Sequence, residues 1–511
     1  MGKKDKNKKK GKGAEKTAVK TEKKMSSKLK KELEAKGEED IETILAQLEK
    51  EEKARLKVTE TLVEPPSRRL NFSLVAHPLK EELILFGGEF YNGQKTFLYN
   101  DLYFYNIPNN TWTILKAPGA PPPRCSHQMV VNSVNKGQLW IFGGEFSSPT
   151  QSQFYHYRDL WLFNLSAKTW EKIQAPNGPS ARSGHRMVYH KKMIFVFGGF
   201  HDNLRDYKYF NDLFCFNTET YSWHKIEAPG SVPNPRSGCC FVPLIDGKLL
   251  VYGGYSKEKL KKDVDKGHFY TDSFSLVQDK NDQTGLKWKW TQTKLSGISP
   301  SSRCSMPITI APNGYAYSFG GVFDVEEDEE ILRGKFFNDF FSLDLEKNNW
   351  RLITLQKRKD KTKLKQECSE AMDEDDKKDD EEEITKEETT TIADDGVFKV
   401  TIGPAASTSN TTQMESGKDD DVFTPCPRMN CGLAVKHGIL YLYGGMFEDG
   451  DRQVTLCDFY SLDLKKLDEW KTIIGDTETQ EWMDSDSESD EDESDDEEGD
   501  DKSGEEDMET D

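Results

Sequence analysis

Read alone, the sequence predicts an all-β fold: six similar four-stranded units closed into a ring, with charged segments outside it. Three observations predict this. An apolar run ending in Gly-Gly occurs six times: LILFGG at 83–88, LWIFGG at 139–144, IFVFGG at 194–199, LLVYGG at 249–254, YAYSFGG at 315–321 and LYLYGG at 440–445. The second glycines lie 56, 55, 55, 67 and 124 residues apart, so a long insertion sits in the last, doubled interval. Each period also carries the same further landmarks in the same order, and a fixed period of this kind marks a repeat architecture.

The unit is built as follows. An arginine opens the first strand: Arg69, Arg124, Arg182, Arg236, Arg303 and Arg428. The run ending in Gly-Gly is the second, since glycine reaches positive φ without steric cost where the strand must turn. The third is NDLYFYN at 100–106, RDLWLFN at 158–164, NDLFCFN at 211–217, TDSFSL at 271–276, NDFFSLD at 338–344 and CDFYSLD at 457–463. A tryptophan heads the fourth: Trp112, Trp170, Trp223, Trp288 or Trp290, Trp350 and Trp470. Four short strands rich in β-branched and aromatic residues, repeated about an axis, read as a propeller. Recurring at one repeat position, the aromatics read as core between blades rather than as a ligand box.

A period near 50 with Gly-Gly and a later tryptophan resembles the kelch repeat. The expectation is a six-bladed kelch β-propeller over 58–475, with blades at about 69–116, 124–174, 182–227, 236–294, 303–355 and 428–474. The loop sequences at 83–106, 154–161, 255–267 and 433–456 resemble those of an intracellular member of that family. Closure is left open. Thr59–Arg69 looks like a last strand and its Pro-rich turn, which could latch beside the sixth blade and compete with Trp470–Ile474 for the outer edge.

The charge lies mostly outside the ring. The chain has 511 residues and a net charge of −20, yet 476–511 alone hold 21 acids and one lysine. Residues 1–36 hold 15 lysines and five acids. Three segments are expected to be disordered: the lysine-rich arm 1–40, the insertion 356–424 and the acidic tail 476–511. One weak strand, VFKVTI at 397–402, is read within the insertion, and a seventh blade there is disfavoured for want of Gly-Gly and Trp. Residues 41–57 place Ile41, Ile44, Leu45 and Leu48 on one face of a short amphipathic helix. In the tail, Ser485, Ser487, Ser489, Ser494 and Ser503 each have an acid three residues on, which resembles the preferred site of casein kinase 2.

No stretch reaches 18 consecutive apolar residues and no signal-peptide core follows the basic start, so a membrane span and secretion are not expected. Nine cysteines without CxxC pairs point to a reducing compartment, the cytoplasm or nucleus. The nine histidines form no HxH or HExxH, and there is no GxSxG or P-loop. Catalytic residues, metal and cofactor are therefore read as none, and the chain as no enzyme. Copper oxidases exist among kelch-like propellers, but His127 and His185 share one repeat position and read as structure.

Partner-binding residues are expected on the face where the loops between second and third strands emerge. These carry Tyr91, Tyr155, His156, Arg205, Tyr207 and Arg452, with Lys95, His201, Lys257 and Arg333. The six repeat arginines have two readings. As a ring at the channel mouth they would bind acidic peptides, as the kelch resemblance implies. As structure, each would bond nearby carbonyls, Glu89 or Glu145. The expected function is a monomeric protein-interaction scaffold or adaptor that binds proteins, with no membrane or small-molecule substrate. Its rivals are a cullin ubiquitin-ligase substrate receptor and a nucleolar or ribosome-assembly factor, the latter with weak nucleic-acid contact through the lysines.

Overall fold

The computed structural model describes Leu33 and residues 38–202, 206–261, 264–328, 331–355, 422–450 and 452–475. Six blade sheets follow one another along the chain, antiparallel but for a short parallel edge, Ser296–Gly297, on blade 5. We letter the strands a to d outward from the axis. In blade 1 they are Ser73–Ala76, Glu82–Phe86, Leu102–Asn106 and Thr111–Lys116. In blade 2 they are Gln128–Asn132, Gln138–Phe142, Leu160–Asn164 and Thr169–Ile173. Blade 3 has Arg186–His190, Met193–Phe197, Leu213–Asn217 and Ser222–Lys225. Blade 4 has Cys240–Pro243, Leu249–Lys261, Val264–Gln278 and Trp288–Gln292. Blade 5 has Ile308–Ile310, Tyr315–Phe319, Phe340–Asp344 and Asn349–Leu352, and blade 6 has Gly432–Lys436, Ile439–Asp449, Arg452–Asp463 and Trp470–Ile474.

Packing between blades uses one joint six times. The strand-d tryptophan of each blade meets the strand-b aromatic of the preceding one. The pairs are Phe86–Trp170 at 5.6 Å, Phe142–Trp223 at 5.5 Å, Phe197–Trp290 at 5.4 Å, Tyr252–Trp350 at 5.3 Å and Phe319–Trp470 at 5.9 Å between centroids. Tyr443–Trp112 at 5.8 Å closes the ring from blade 6 to blade 1. Trp290 thus fills the fourth blade's place. Gly-Gly stands at the same joint. Gly87 and Gly143 have φ of 71° and 65°, and a Cβ on either would lie 2.7 Å from the arginine carbonyl of the next blade.

A chain of hydrogen bonds runs around the axis from blade 1 to blade 6 where strands a begin. The residue two places after each repeat arginine is left-handed: Asn71, Ser126, Gly184, Gly238, Ser305 and Asn430 have φ between 51° and 60°. From blade 2 to blade 6 the N–H donates to its counterpart one blade back: Ser126 to Asn71 at 2.9 Å, Gly184 to Ser126 at 3.1 Å, Gly238 to Gly184 at 3.0 Å, Ser305 to Gly238 at 3.3 Å and Asn430 to Ser305 at 3.2 Å. Gly and Asn adopt this backbone most readily, and Ser126 and Ser305 are held in it by the same hydrogen bonds.

The N-terminal strand is not where the sixth-blade latch would put it. Thr59–Val63 pairs antiparallel with strand d of blade 1, Thr59 opposite Lys116 and Val63 opposite Trp112. Blade 6 keeps Trp470–Ile474 as its own outer strand. Val63 still packs in the cluster shared by blades 1 and 6, beside Ile473 and Ile474. Residues Ile41–Ala54 form helix α1, capped by Asp40, whose side chain accepts from the Glu42 N–H. The lysine-rich arm before Glu38 (apart from Leu33), the insertion 356–421 with its VFKVTI strand, and the tail serines lie outside the described residues.

Candidate functional site: a crown of hairpin arms

The six connections between strands b and c are not irregular loops. Each is a β-hairpin arm standing on the same face. Arms 1 to 3 are Glu89–Tyr91 with Thr96–Leu98, Glu145–Ser147 with Phe154–His156, and Phe200–Asp202 with Tyr207–Tyr209. Arms 4 and 6 continue strands b and c through the Gly-Gly bulge, pairing as far as Lys261 with Val264 and Asp449 with Arg452. Arm 5 pairs Val322–Asp328 with Ile331–Phe336. Together the arms form a crown around the channel mouth.

Aromatic rings tie arms 2 to 5 to one another. The His156 ring meets Phe200 at 5.7 Å; Phe200 meets Tyr209 at 5.9 Å; Tyr209 meets Tyr255 at 6.3 Å. The arc continues from Tyr255 to Phe269 at 4.9 Å and to Phe323 at 4.7 Å. The outer surface is mixed: Phe154 and Tyr155 are exposed on arm 2, and the Tyr207 hydroxyl donates to Asp265 of arm 4 at 2.8 Å. The Lys257 ammonium stands 4.0 Å from Asp265.

Of the residues expected to meet a partner, Tyr155, Tyr207 and Arg452 do lie on this crown, Tyr155 and Arg452 exposed and Tyr207 half-buried. Tyr91 is half-buried, its hydroxyl donating to the Gly93 carbonyl. Arg205 lies outside the described residues. His156 is buried rather than presented. It is a strut between arms 2 and 3, with Nδ1 2.7 Å from Ser183 Oγ and Nε2 accepting the Asp202 N–H at 3.1 Å. Its ring stacks on His201 at 4.6 Å, and burial first, then His201, pushes its pKa down to about 4.

The six arginines are inside the fold, and none reaches the channel mouth as a free cation. Arg69, Arg124, Arg182, Arg236 and Arg428 are fully buried and Arg303 is 5% exposed. Each guanidinium donates to the first carbonyl of its own blade's Gly-Gly, and five of the six pair with an aspartate. Arg124 donates to the Gly143 carbonyl at 3.1 Å, to the Pro122 carbonyl at 3.2 Å and to both oxygens of Asp159 at 2.8 and 3.2 Å, and lies 4.0 Å over Tyr157. Arg182, Arg236, Arg303 and Arg428 repeat this with Asp212, Asp272, Asp339 and Asp458. Arg69 donates to Gly87 and Ser67 and covers Tyr99. Burial alone would raise the Asp159 carboxyl, but Arg124 holds it below the ordinary range. The aspartate just before strand c, not Glu89 or Glu145, is the partner. The acidic-peptide reading of the ring therefore gives way: all six guanidinium groups are buried, with donors already taken by carbonyls, hydroxyls or carboxylates of the fold, so none presents a fork to a carboxylate in the channel.

Glu89 and Glu145 instead face the channel mouth between blades 1 and 2. Glu89 accepts from Asn71 at 2.7 Å, and the Glu145 carboxylate lies 3.5 Å from His156. Burial, then Glu89, pushes Glu145 up to about 8. Behind them runs an axial cavity of about 710 Å³, lined by strand-a side chains such as Met129, Val188, Phe241 and Leu433. His127 and His185 lie beneath the Gly-Gly turns, edge-on to Phe86 and Phe142. Burial drives both well below the ordinary histidine range, so they are neutral packing groups. Among the described residues no three His, Cys, Asp or Glu side chains come together as metal ligands, and no helix is long and apolar enough to cross a membrane.

Ring closure, the recurrent tryptophan joint and the arginine–aspartate lock define a kelch-type β-propeller fold, and two family models of kelch-type propellers match the chain. The family model described as "FBX42, beta-propeller domain" matches residues 69–274, and "KLHDC2/KLHL20/DRC7 Kelch-repeats domain" matches 179–374. Among individual proteins, it is similar to N-(sulfonatooxy)prop-2-enimidothioate sulfolyase of Thlaspi arvense, 27% identical over 281 residues, 53% of this chain and 75% of that one. It is also similar to Host cell factor of Drosophila melanogaster, 27% identical over 188 residues, 35% of this chain. Leucine-zipper-like transcriptional regulator 1 homolog from the same fly is 23% identical over 300 residues, 58% of this chain. The matches span only 11% and 27% of the two fly proteins.

Proposed function

We propose that the chain is a non-enzymatic protein-interaction scaffold of the cytoplasm or nucleus that takes its partners on the crown. The observation that carries this reading is the crown itself. Six hairpin arms on one face present tyrosine, phenylalanine and paired charge above a rigid ring, the composition of a recognition surface. The kelch-type relatives include proteins named as a host cell factor and a transcriptional regulator, which accords with a binding role.

Tyr155, Tyr207 and Arg452 are the contact residues, with Tyr91 supporting arm 1. The test is affinity purification of the full chain beside a Tyr155→Ala/Tyr207→Ala/Arg452→Ala variant whose melting temperature is unchanged. Partners lost in the variant support the crown. A partner set identical to that of the unsubstituted chain refutes it. Large aromatic and arginine anchors typically carry about 2 kcal/mol or more each at an interface, so their removal together abolishes capture.

A further inference from the structure

The tip of arm 2 reads Ser147-Ser148-Pro149-Thr150-Gln151-Ser152-Gln153, and it clasps the strap that leads into helix α1. The Glu38 carboxylate lies over it. It accepts from the Ser148 hydroxyl at 3.2 Å, the Thr150 N–H at 3.2 Å, the Thr150 hydroxyl at 2.9 Å and the Ser152 hydroxyl. Gln153 completes the clasp, donating to the Glu39 carbonyl at 2.9 Å and accepting from the Ile41 N–H at 3.0 Å. The helix beyond rests on a small apolar patch. Leu45 packs on Phe146 and Tyr157, with Ile41, Ile44, Leu48 and Leu98 at the margin. The far end of α1 is tied separately, Glu52 accepting from the Asn100 side chain at 3.2 Å and from the Gly119 N–H at 3.1 Å, so the polar clasp is what holds the strap and the first turn.

We propose that Thr150 and Ser152 form a phosphorylation site whose modification releases the strap and helix α1 from the crown. The geometry suits a kinase substrate. Pro149, Thr150 and Gln151 are exposed at the hairpin tip, Ser152 is half-buried, and both acceptors are followed by glutamine. A protein kinase that reads the residue after the acceptor meets that signature twice. In the transfer, the hydroxyl oxygen attacks the γ-phosphorus of ATP. The new O–P bond forms as the bond from that phosphorus to the β–γ bridging oxygen breaks. ADP leaves, and the hydroxyl proton passes to the kinase's base.

The consequence is local electrostatics. The oxygen that donated to Glu38 no longer carries a proton, and nearly two negative charges stand beside a carboxylate whose partners among the described residues are hydroxyl, amide and N–H donors. Like-charge repulsion replaces the hydrogen bonds. Release of α1 uncovers Phe146 and Tyr157 at the foot of arm 2. Modification would then switch a covered part of the crown to an open one. The inference does not rest on the scaffold reading, because helix release is measured without any partner.

The test uses the full chain, ATP and a recombinant kinase selective for Ser/Thr-Gln, with site occupancy read by mass spectrometry. Amide hydrogen exchange then follows Ile41–Ala54. The expected result is phosphate on Thr150 or Ser152 and a loss of helix protection on the order of 10- to 100-fold, while the strands of the ring keep theirs. A Thr150→Ala/Ser152→Ala variant takes up no phosphate at the tip, and its helix does not respond to kinase and ATP. In Glu38→Lys the sign reverses, since an ammonium pairs with phosphate, and protection rises on phosphorylation. Absence of phosphate at both residues overturns the proposal, as does unchanged or increased helix protection in the phosphorylated natural sequence.

Discussion

Arg428→Met tests whether the repeat arginines lock the fold. Arg428 and Asp458 are the most deeply buried of the pairs, with side chains 0% and 2% exposed. The guanidinium donates to Asp458 at 2.5 and 2.7 Å, to the Gly444 carbonyl at 3.1 Å and to the Cys426 carbonyl at 3.0 Å. Methionine fills much of the volume but removes every donor. Asp458 is then left as a buried, uncompensated carboxylate, a situation that costs about 3–5 kcal/mol. In a ring of this size that lowers the melting temperature by about 5 °C. The double variant Arg428→Met/Asp458→Leu removes the stranded charge and should recover most of the loss. Thermal melts of the three chains decide it. A single variant within about 0.5 kcal/mol of the natural chain, or a double variant no better than the single, refutes the lock.

Further outcomes follow from the same structure. Trp223→Ala empties the joint with Phe142 and should cost about 3–5 kcal/mol in a denaturant melt, whereas an exposed aromatic such as Tyr155→Ala should cost almost nothing. Because Glu145 binds its proton more tightly folded than unfolded, its contribution is lost as pH rises from the ordinary carboxyl range toward about 8. Glu145→Gln should therefore leave the melting temperature nearly unchanged at pH 5 and raise it at pH 8. Leu45→Asp places a charge against Phe146 and Tyr157, and should strip hydrogen-exchange protection from Ile41–Ala54 without lowering the ring's own melt.

Much of the ring is legible in the sequence because its joints recur. The Gly-Gly turns, the tryptophans and the arginines each occupy one place per period, and periodicity separates them from chance. The hydrogen-bond chain around the axis was equally available: Asn, Ser or Gly stands two residues after every repeat arginine, a left-handed signature once positive φ is considered. The arginines' partners were harder. The aspartate before strand c also recurs, as Asp159, Asp212, Asp272, Asp339 and Asp458, but it lies 30 to 36 residues from its arginine, and only the blade's fold brings the two together. The crown was half legible. Its long connections were visible, but not their pairing into arms, nor the strut His156 makes to Ser183 and Asp202. Those contacts depend on how one arm leans on the next, which no local pattern records. The Thr59–Val63 strand was harder to place: it is exposed but for Val63 and joins blade 1 through backbone pairing, which its side-chain pattern does not encode.

Cross-linking mass spectrometry of a captured partner on the full chain tests the central claim most directly. Cross-links and exchange protection concentrated on arms 89–98, 145–156, 200–209 and 446–456 are the predicted result. Contacts confined to the opposite face, at the a–b turns near Lys80, Lys136, Lys191 and Lys248, would contradict it.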